Sequence, residues 1–321
     1  MSPSATASPT ATTSATTAAA NAFVAAHLAE ATDLGSRLGL DVGDPDAFLR
    51  TARMGFAALA DPAYRQGQIT IAPGIDPAAI VGVRLPLMEA AHRAYKKATR
   101  EISTAQLLDV IARLLASDEI ELRWFGIWDL GRCLATDPER SWQLMRAAAA
   151  QATEWISVDM LAHPFGEGIL REPRRWSEFD RLKYSPNRWE RRLVGSTLAT
   201  MPFAKGLSGG RDPETAARGL AIIADLIGDD EPDVQKALSW ALRNFAAVDQ
   251  AAVVAFLERE AATARADDDG NRAWVVRDSL SKIPAGTAAT LKTNLEGIRR
   301  RSGAPSTSRA AAAAAQLIRE G

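Results

Sequence analysis

The chain has 321 residues, of which 47% are apolar and 24% charged, with 38 Lys and Arg against 39 Asp and Glu. A net charge of −1 excludes a uniformly basic nucleic-acid-binding protein, so such a partner would need a local basic patch. With three His and one Cys the sequence lacks the ligands of a typical metal cage, and we expect no metal and no cofactor.

The first 20 residues, "MSPSATASPTATTSATTAAA", contain no Lys or Arg and no apolar segment of the kind found in secretory signals. Their Ser, Thr and Ala composition predicts a disordered tail over residues 1–20. No later stretch approaches the roughly 18 consecutive apolar residues of a membrane span. We therefore expect a cytoplasmic protein without membrane contact.

From Ala22 onward the apolar spacing is helical almost everywhere, as in "FVAAHLAEATDLGSRLGL", and no convincing strand pattern appears. Asp-Pro dipeptides in "DPDA", "TDPER" and "RDPE" are typical helix starts. The sequence thus predicts an all-α protein, with a helical repeat domain over residues 21–300 and a C-terminal extension over residues 301–321.

Four stretches, "ELRWFGIWDLG", "SVDMLAHPFG", "ERRLVGSTLA" and "VQKALSWALR", align on Arg123, Asp159, Arg192 and Lys236. The spacings are 36, 33 and 44 residues, and "NRAWVVRDSLSKI" is a weaker fifth copy. Recurrent helix pairs of this length predict a HEAT-like α-solenoid, a right-handed superhelix of antiparallel helix pairs with a concave DNA-binding groove. The aligned position holds a cation in three copies and a carboxylate, Asp159, in one.

Residues 171–192 are rich in cations, with eight basic against four acidic residues and interleaved Trp and Tyr side chains. Lys205, Lys236 and Arg243 add positive charge further along, and Arg188 lies within the segment. Such a stripe on a concave surface suits a DNA phosphate backbone. The alternative is a solvated charged face whose aromatic side chains pack between helices.

Asp159 is unexpected on a surface that binds phosphates. One role for this carboxylate is to stabilise positive charge on a sugar as a glycosidic bond breaks. Trp155 shares its helix face, and Trp240 of a neighbouring repeat could form a second wall for a cation. Arg192 would hold a phosphate or orient the carboxylate. The alternatives are core packing for both Trp side chains and a plain ion pair between Arg192 and Asp159.

The region from about Asp118 to Val248 resembles the DNA alkylation repair glycosylases of the AlkD type, which are HEAT-like solenoids. The resemblance rests on "WISVD", "FGEGILREP", "SPNRWERR" and "VQKALSWALR" in that order, with "IVGVRLPLMEAAHRAYKK" upstream. It implies that Trp155, Asp159, Arg192 and Trp240 are the cleft residues and that Arg243 lies beside DNA. Beside the Trp, where the family often has an acidic or second aromatic residue, this chain has Glu154 and Ile156.

The resemblance implies a monomeric, monofunctional glycosylase of base-excision repair. It would act on duplex DNA, associated with the nucleoid in a bacterium, and release cationic N3- and N7-alkylpurines without base flipping. Arg243, Arg188, Lys205 and Lys236 are the expected DNA-binding residues. The glycines of "GLSGGRD" lack a P-loop ending, so no nucleotide cofactor is expected. The alternatives are a non-catalytic module that binds unusual DNA structures and a HEAT-type protein-binding scaffold.

Overall fold

The computed structural model describes residues 9–71 and 74–320 of the chain. Within these residues the protein is all-helical, as predicted, and its one β element is an isolated bridge between Ala60 and Val83. Asp-Pro sequences do open helices: the side chains of Asp44, Asp137 and Asp212 each accept a hydrogen bond from a backbone N–H of the first turn. These caps satisfy donors that have no partner inside the helix.

The chain divides into two compact units, Met1–Asp129 and Leu130–Gly321, and the division falls inside the region predicted as one repeat domain. The helices of the first unit, the last of which crosses the division, are α1 (Pro9–Leu40), α2 (Pro45–Ala58), α3 (Pro62–Ile71), α4 (Leu85–Ala98), α5 (Thr104–Leu115) and α6 (Ile120–Cys133). Helix α1 lies directly against α4, because a Cβ on Gly35 would be 2.0 Å from the carbonyl oxygen of Ala91. A larger side chain at Gly35 would force the two helices apart.

The second unit holds the predicted site. Its helices are α7 (Pro138–Ala150), α8 (Trp155–Arg171), α9 (Trp176–Arg181), α10 (Arg188–Thr200), α11 (Pro213–Leu226), α12 (Pro232–Phe245), α13 (Gln250–Ala266), α14 (Gly270–Ser279), α15 (Ala285–Asn294) and α16 (Arg309–Glu320). Helix α8 packs against α10, α10 against α12, and α12 against α14, while α7, α11 and α13 pack on α8, α12 and α14 respectively. Helix pairs therefore recur along this unit. The superhelical HEAT-like arrangement stays a prediction.

Helices α10 and α12 approach each other closely at Gly195. A Cβ on Gly195 would be 2.7 Å from the carbonyl carbon of Ala237 and 2.9 Å from the backbone nitrogen of Leu238. Only glycine lets the two backbones come this close. Gly195 therefore sets the distance between the helices that carry Arg192 and Trp240.

The hydrogen bonds correct the predicted repeat alignment at one position, the match between Arg123 and Arg192. Arg123 donates to the carbonyl oxygens of Ser117 and Asp118, six and five residues upstream. Arg191 donates to the carbonyl oxygens of Ser185 and Pro186, again six and five residues upstream. Arg123 is thus the counterpart of Arg191, one residue before the predicted match. Helical periodicity could not resolve this shift, since neighbouring Arg residues follow one another in "ERRLVG".

The N-terminal end of the described residues differs from the sequence prediction. Helix α1 begins at Pro9, so residues 9–20 are helical where a disordered tail was expected, and residues 1–8 lie outside the described residues. This segment is rich in alanine, the strongest helix former. Described residues of the predicted C-terminal extension contact the rest of the second unit: the backbone N–H of Thr307 donates to Gly228, its hydroxyl donates to Asp269, and Arg309 pairs with Asp225.

Candidate functional site

The carboxylate of Asp159 projects from α8 and is held in place from α10. Arg192 donates to both of its oxygens, with Nε 3.1 Å from Oδ1 and Nη2 2.7 Å from Oδ2. The hydroxyl of Ser196 donates to Oδ1 at 2.6 Å. The Asp159 side chain keeps 22% of its surface exposed, whereas that of Arg192 keeps 7%. The carboxylate is therefore fixed in orientation and still open to a ligand, and it is not the fully buried charge that its apolar neighbours suggest.

Arg192 links three helices. Its Nη1 donates to the carbonyl oxygen of Asp233 on α12 at 2.7 Å, and its guanidinium carbon lies 5.8 Å from the centre of the Trp155 ring. All three guanidinium nitrogens of Arg192 thus have hydrogen-bond partners within the protein. Of the two roles that the sequence left open for Arg192, the geometry matches orientation of the Asp159 carboxylate, because bidentate pairing sets the plane of both groups.

Local sequence explains why α8 presents Asp159 to α10. The helix begins after Glu154, whose side chain accepts hydrogen bonds from the backbone N–H groups of Ile156 and Ser157. Further along, a Cβ on Gly166 would lie 3.2 Å from the side chain of Met201, so this glycine lets the two chain segments approach. Glu154, a departure from the family pattern, thus has a clear role as the helix N-cap.

Trp240 and Lys236 lie on the exposed face of α12. Trp240 is half-exposed and follows Asp233 by seven residues, which places the two about 20° apart around the helix axis. Trp240 therefore shares a face with the residue that Arg192 contacts. Lys236 is exposed, and its side-chain ammonium group makes no ion pair or hydrogen bond with the residues that the structure describes. It is a cation available to a ligand at this face.

The other predicted DNA-binding residues differ in their partners. Arg243 is 2.7 Å from the carboxylate of Asp278, and Arg188 is 3.2 Å from that of Glu231. Lys205 is exposed in the loop after α10 and has no ion-pair partner among the described residues. Two of the four predicted residues, Lys205 and Lys236, thus carry a charge that no carboxylate of the described residues neutralises.

Most of the basic segment 171–192 is neutralised by nearby carboxylates. Arg175 is fully buried and pairs with Glu172, and Arg191 pairs with Asp229 at 2.7 Å. Lys183 lies between Asp180 and Asp225, each 2.8 Å away; burial would lower the pKa of this ammonium group, but the two carboxylates raise it well above its usual range. The segment therefore fits the alternative of paired charges and packed aromatic side chains better than a continuous phosphate-binding stripe.

Comparison with known families decides the class of protein. The family model for DNA alkylation repair enzymes matches residues 52–283, more than half of the chain. The chain belongs to this family. No curated protein matches the chain in a sequence search.

As a DNA alkylation repair family member, the chain has DNA as its partner, and the matched range includes Trp155, Asp159, Arg192 and Trp240. Among the described residues no helix is long and apolar enough to cross a membrane. In the same part of the chain, no three His, Cys, Asp or Glu side chains are grouped so that they could hold a metal ion.

The sequence interpretation missed two polar residues on the face of α8 that carries the site. His163 and Glu167 continue the spacing of four residues that relates Trp155 to Asp159. Burial raises the pKa of the half-buried Glu167 carboxyl, and Arg171 opposes that shift. His163 is exposed as a residue, but burial of part of its ring lowers the pKa of the imidazole. The negative charge of Asp159 opposes that shift. The i, i+4 spacing alone would have revealed this row.

The lowered pKa of His163 predicts a pH-dependent contribution to stability. At pH values between the lowered pKa of His163 in the folded protein and the ordinary value of 6.5, this residue binds more protons in the unfolded chain than in the folded one. The free energy of unfolding therefore decreases as the pH falls below 6.5. We expect His163→Gln to lose less stability than the natural chain when urea unfolding is compared at neutral and mildly acidic pH. Asp159→Asn should show the opposite, a larger loss, because it removes the anion that favours the imidazolium. Equal losses in all three proteins would contradict the assignment.

Proposed function

We propose that this DNA alkylation repair enzyme is a monofunctional DNA glycosylase that releases cationic N3- and N7-alkylpurines. The observation that supports this most is the carboxylate of Asp159, which Arg192 and Ser196 orient, which is partly exposed, and which lies one helical turn after Trp155. A negative group fixed before the reaction stabilises developing positive charge without having to reorganise. The reaction that generates such a charge on DNA is cleavage of a glycosidic bond.

In this mechanism the bond between C1′ and the purine nitrogen breaks, and its electron pair goes to the purine. The alkylated purine is already cationic, so it leaves as a neutral base and needs no general acid. The positive charge moves to the sugar, where Asp159 faces it. Water then adds to C1′ and loses a proton. The protein has only to stabilise and position, which agrees with a site that consists of one carboxylate, one Arg and Trp side chains.

Trp155 and Trp240 would contact the damaged nucleotide through their ring faces, which attract cations. Both side chains are half-exposed, and they lie on helices that Arg192 connects. Such a surface is open, so we propose that the lesion is recognised without the extrusion into a closed pocket that many glycosylases use. Arg192 acts as a positioning residue, through Asp159.

Lys236 on α12, which has no ion-pair partner among the described residues, gives a test of how DNA lies on this face. Replacing Lys236 with Ala should lower the slope of log affinity against log salt by about 0.9, because one phosphate contact and its counterion release are lost. Arg188→Ala is the matched control, since Arg188 already pairs with Glu231 and its loss should change the slope less. The measurement is duplex binding over a salt series by fluorescence anisotropy. A slope unchanged in Lys236→Ala would place the phosphates elsewhere.

The proposed activity has a direct assay. Purified protein is incubated with N-methylated duplex DNA, and both free methylpurine and bound DNA are measured. Release of 3-methyladenine or 7-methylguanine supports the glycosylase. Salt-dependent binding without release would instead support a non-catalytic DNA-binding module. Absence of binding at moderate salt would support a protein-binding scaffold.

A further inference from the structure

Helix α14 repeats the arrangement of aromatic and carboxylate that defines the site on α8. Trp274 and Asp278 in "WVVRD" have the spacing of Trp155 and Asp159 in "WISVD". Both pairs therefore place an indole and a carboxylate one helical turn apart on one face. Trp274 is half-exposed, and the Asp278 side chain keeps 42% of its surface exposed.

The Asp278 carboxylate is held by the same residue types as Asp159. Ser239 donates to Oδ2 at 2.5 Å and Arg243 donates to Oδ2 at 2.7 Å, both from α12. Arg243 also donates to the backbone carbonyl of Asp278 at 2.8 Å. Oδ1 accepts no hydrogen bond from the residues that the structure describes. One oxygen is thus anchored while the other can accept a donor from a ligand.

An Arg lies over the indole in each case. The guanidinium carbon of Arg300 is 5.6 Å from the ring centre of Trp274, close to the 5.8 Å between Arg192 and Trp155. Arg300 is held there by Gln235, whose Oε1 accepts its hydrogen bond at 2.8 Å. An indole has two faces, so a held guanidinium on one of them leaves the exposed part of the ring to a second planar cation.

The two Trp–Asp pairs border the exposed face of α12 from opposite directions. Arg192 reaches the α12 residue Asp233 from the α8 and α10 direction, and Arg243 of α12 reaches Asp278 on α14. Helices α8 and α14 are separated by three helix-to-helix steps of about 8–10 Å each. At about 3.4 Å per base pair, both pairs could contact one duplex within a single helical turn.

We propose that Trp274 and Asp278 form a second binding site for a cationic alkylpurine nucleotide. The indole attracts the positively charged ring, and the free oxygen of Asp278 accepts a hydrogen bond from an exocyclic amino group, as carboxylates do in base recognition. The choice of ligand rests on the proposed glycosylase function. The second site would hold a damaged strand while the site of Trp155 and Asp159 binds another nucleotide of the same duplex.

The test uses the full-length protein and the indole N–H resonances of its Trp residues in NMR spectra. Trp155→Phe and Trp274→Phe assign the two signals. The probe is 7-methylguanosine at mildly acidic pH, where its purine is cationic, and guanosine is the uncharged reference. We expect 7-methylguanosine, and not guanosine, to shift the Trp274 signal. In Asp278→Asn the apparent affinity from that signal should fall about tenfold or more, because the charged hydrogen-bond acceptor is lost.

Asp46→Asn is the matched control. Asp46 is also an exposed, arginine-paired carboxylate, 3.5 Å from Arg113, but the residue four positions before it is Val42, so no indole precedes it at that spacing. This variant should leave the Trp274 titration unchanged. No Trp274 shift, an equal shift with guanosine, or an unchanged affinity in Asp278→Asn would each overturn the second site. Base release is measured separately on the same samples, so a protein that binds the nucleoside at Trp274 yet releases no base rejects only the glycosylase proposal.

Discussion

Asp159→Asn should reduce release of methylpurines by a factor on the order of 10² to 10³, the range found when one preorganised charge-stabilising group is removed from an enzyme. Asparagine keeps the size of the side chain and can still accept from Arg192 and Ser196. It removes the negative charge that would face the sugar cation. DNA binding should remain or increase slightly, since a charge that repels phosphate is lost.

The measurement is single-turnover release of 7-methylguanine and 3-methyladenine from methylated duplex DNA. Asp46→Asn, the same change at an Arg-paired carboxylate on the first unit, should retain normal release. Circular dichroism and thermal unfolding establish that both variants are folded. If Asp159→Asn released base at the natural rate, the carboxylate would have no part in the chemistry, and the proposed mechanism would be wrong.

Gly195→Ala should lower the free energy of unfolding by about 1–3 kcal/mol, the usual cost of forcing extra volume into a packed interface. The new methyl group would meet backbone atoms of Ala237 and Leu238 at under 3.0 Å, and backbone cannot move aside as a flexible side chain does. Helices α10 and α12 would have to separate. Arg192 would then move relative to Asp233, so base release should fall together with stability.

Gly67→Ala is the matched control for this substitution. Gly67 lies inside α3, and a Cβ there would meet no other atom within 4 Å. The change should leave stability unaltered or raise it by up to about 1 kcal/mol, because alanine has the higher helix propensity. Urea unfolding of both variants gives the comparison. Equal stability of Gly195→Ala and the natural chain would mean that the two helices are not held this closely in solution.

Features that depend on local spacing could be predicted from the sequence. Helical periodicity gave the fold class, and the four-residue spacing of Trp155 and Asp159 placed them on one face. The same spacing relates Trp274 to Asp278 and His163 to Glu167, so these pairs too can be placed on shared helix faces from the sequence.

Features that depend on distant pairing could not be predicted. Arg191 meets Asp229, and Lys183 meets Asp225, across 38 and 42 residues of chain. The number of charges along the segment predicted a cationic surface. The fold instead pairs each of these two cations with a carboxylate from later in the chain, Asp225 on α11 and Asp229 in the loop between α11 and α12. Periodicity shows which face a side chain occupies, but it carries no information about the partner on the neighbouring helix.

The return of the C-terminal segment onto α11 bears on how the second unit unfolds. In an open repeat array each repeat contacts only its neighbours, so the terminal repeat can fray independently of the rest. Here Thr307 binds Gly228 and Asp269, and the Asp225 carboxylate is shared by Lys183 and Arg309. Because Thr307 and Arg309 bind residues of earlier helices and loops, unfolding of the last helix also removes contacts from the interior helix pairs. We therefore expect the second unit to unfold in one concerted transition instead of progressively from its C-terminal end.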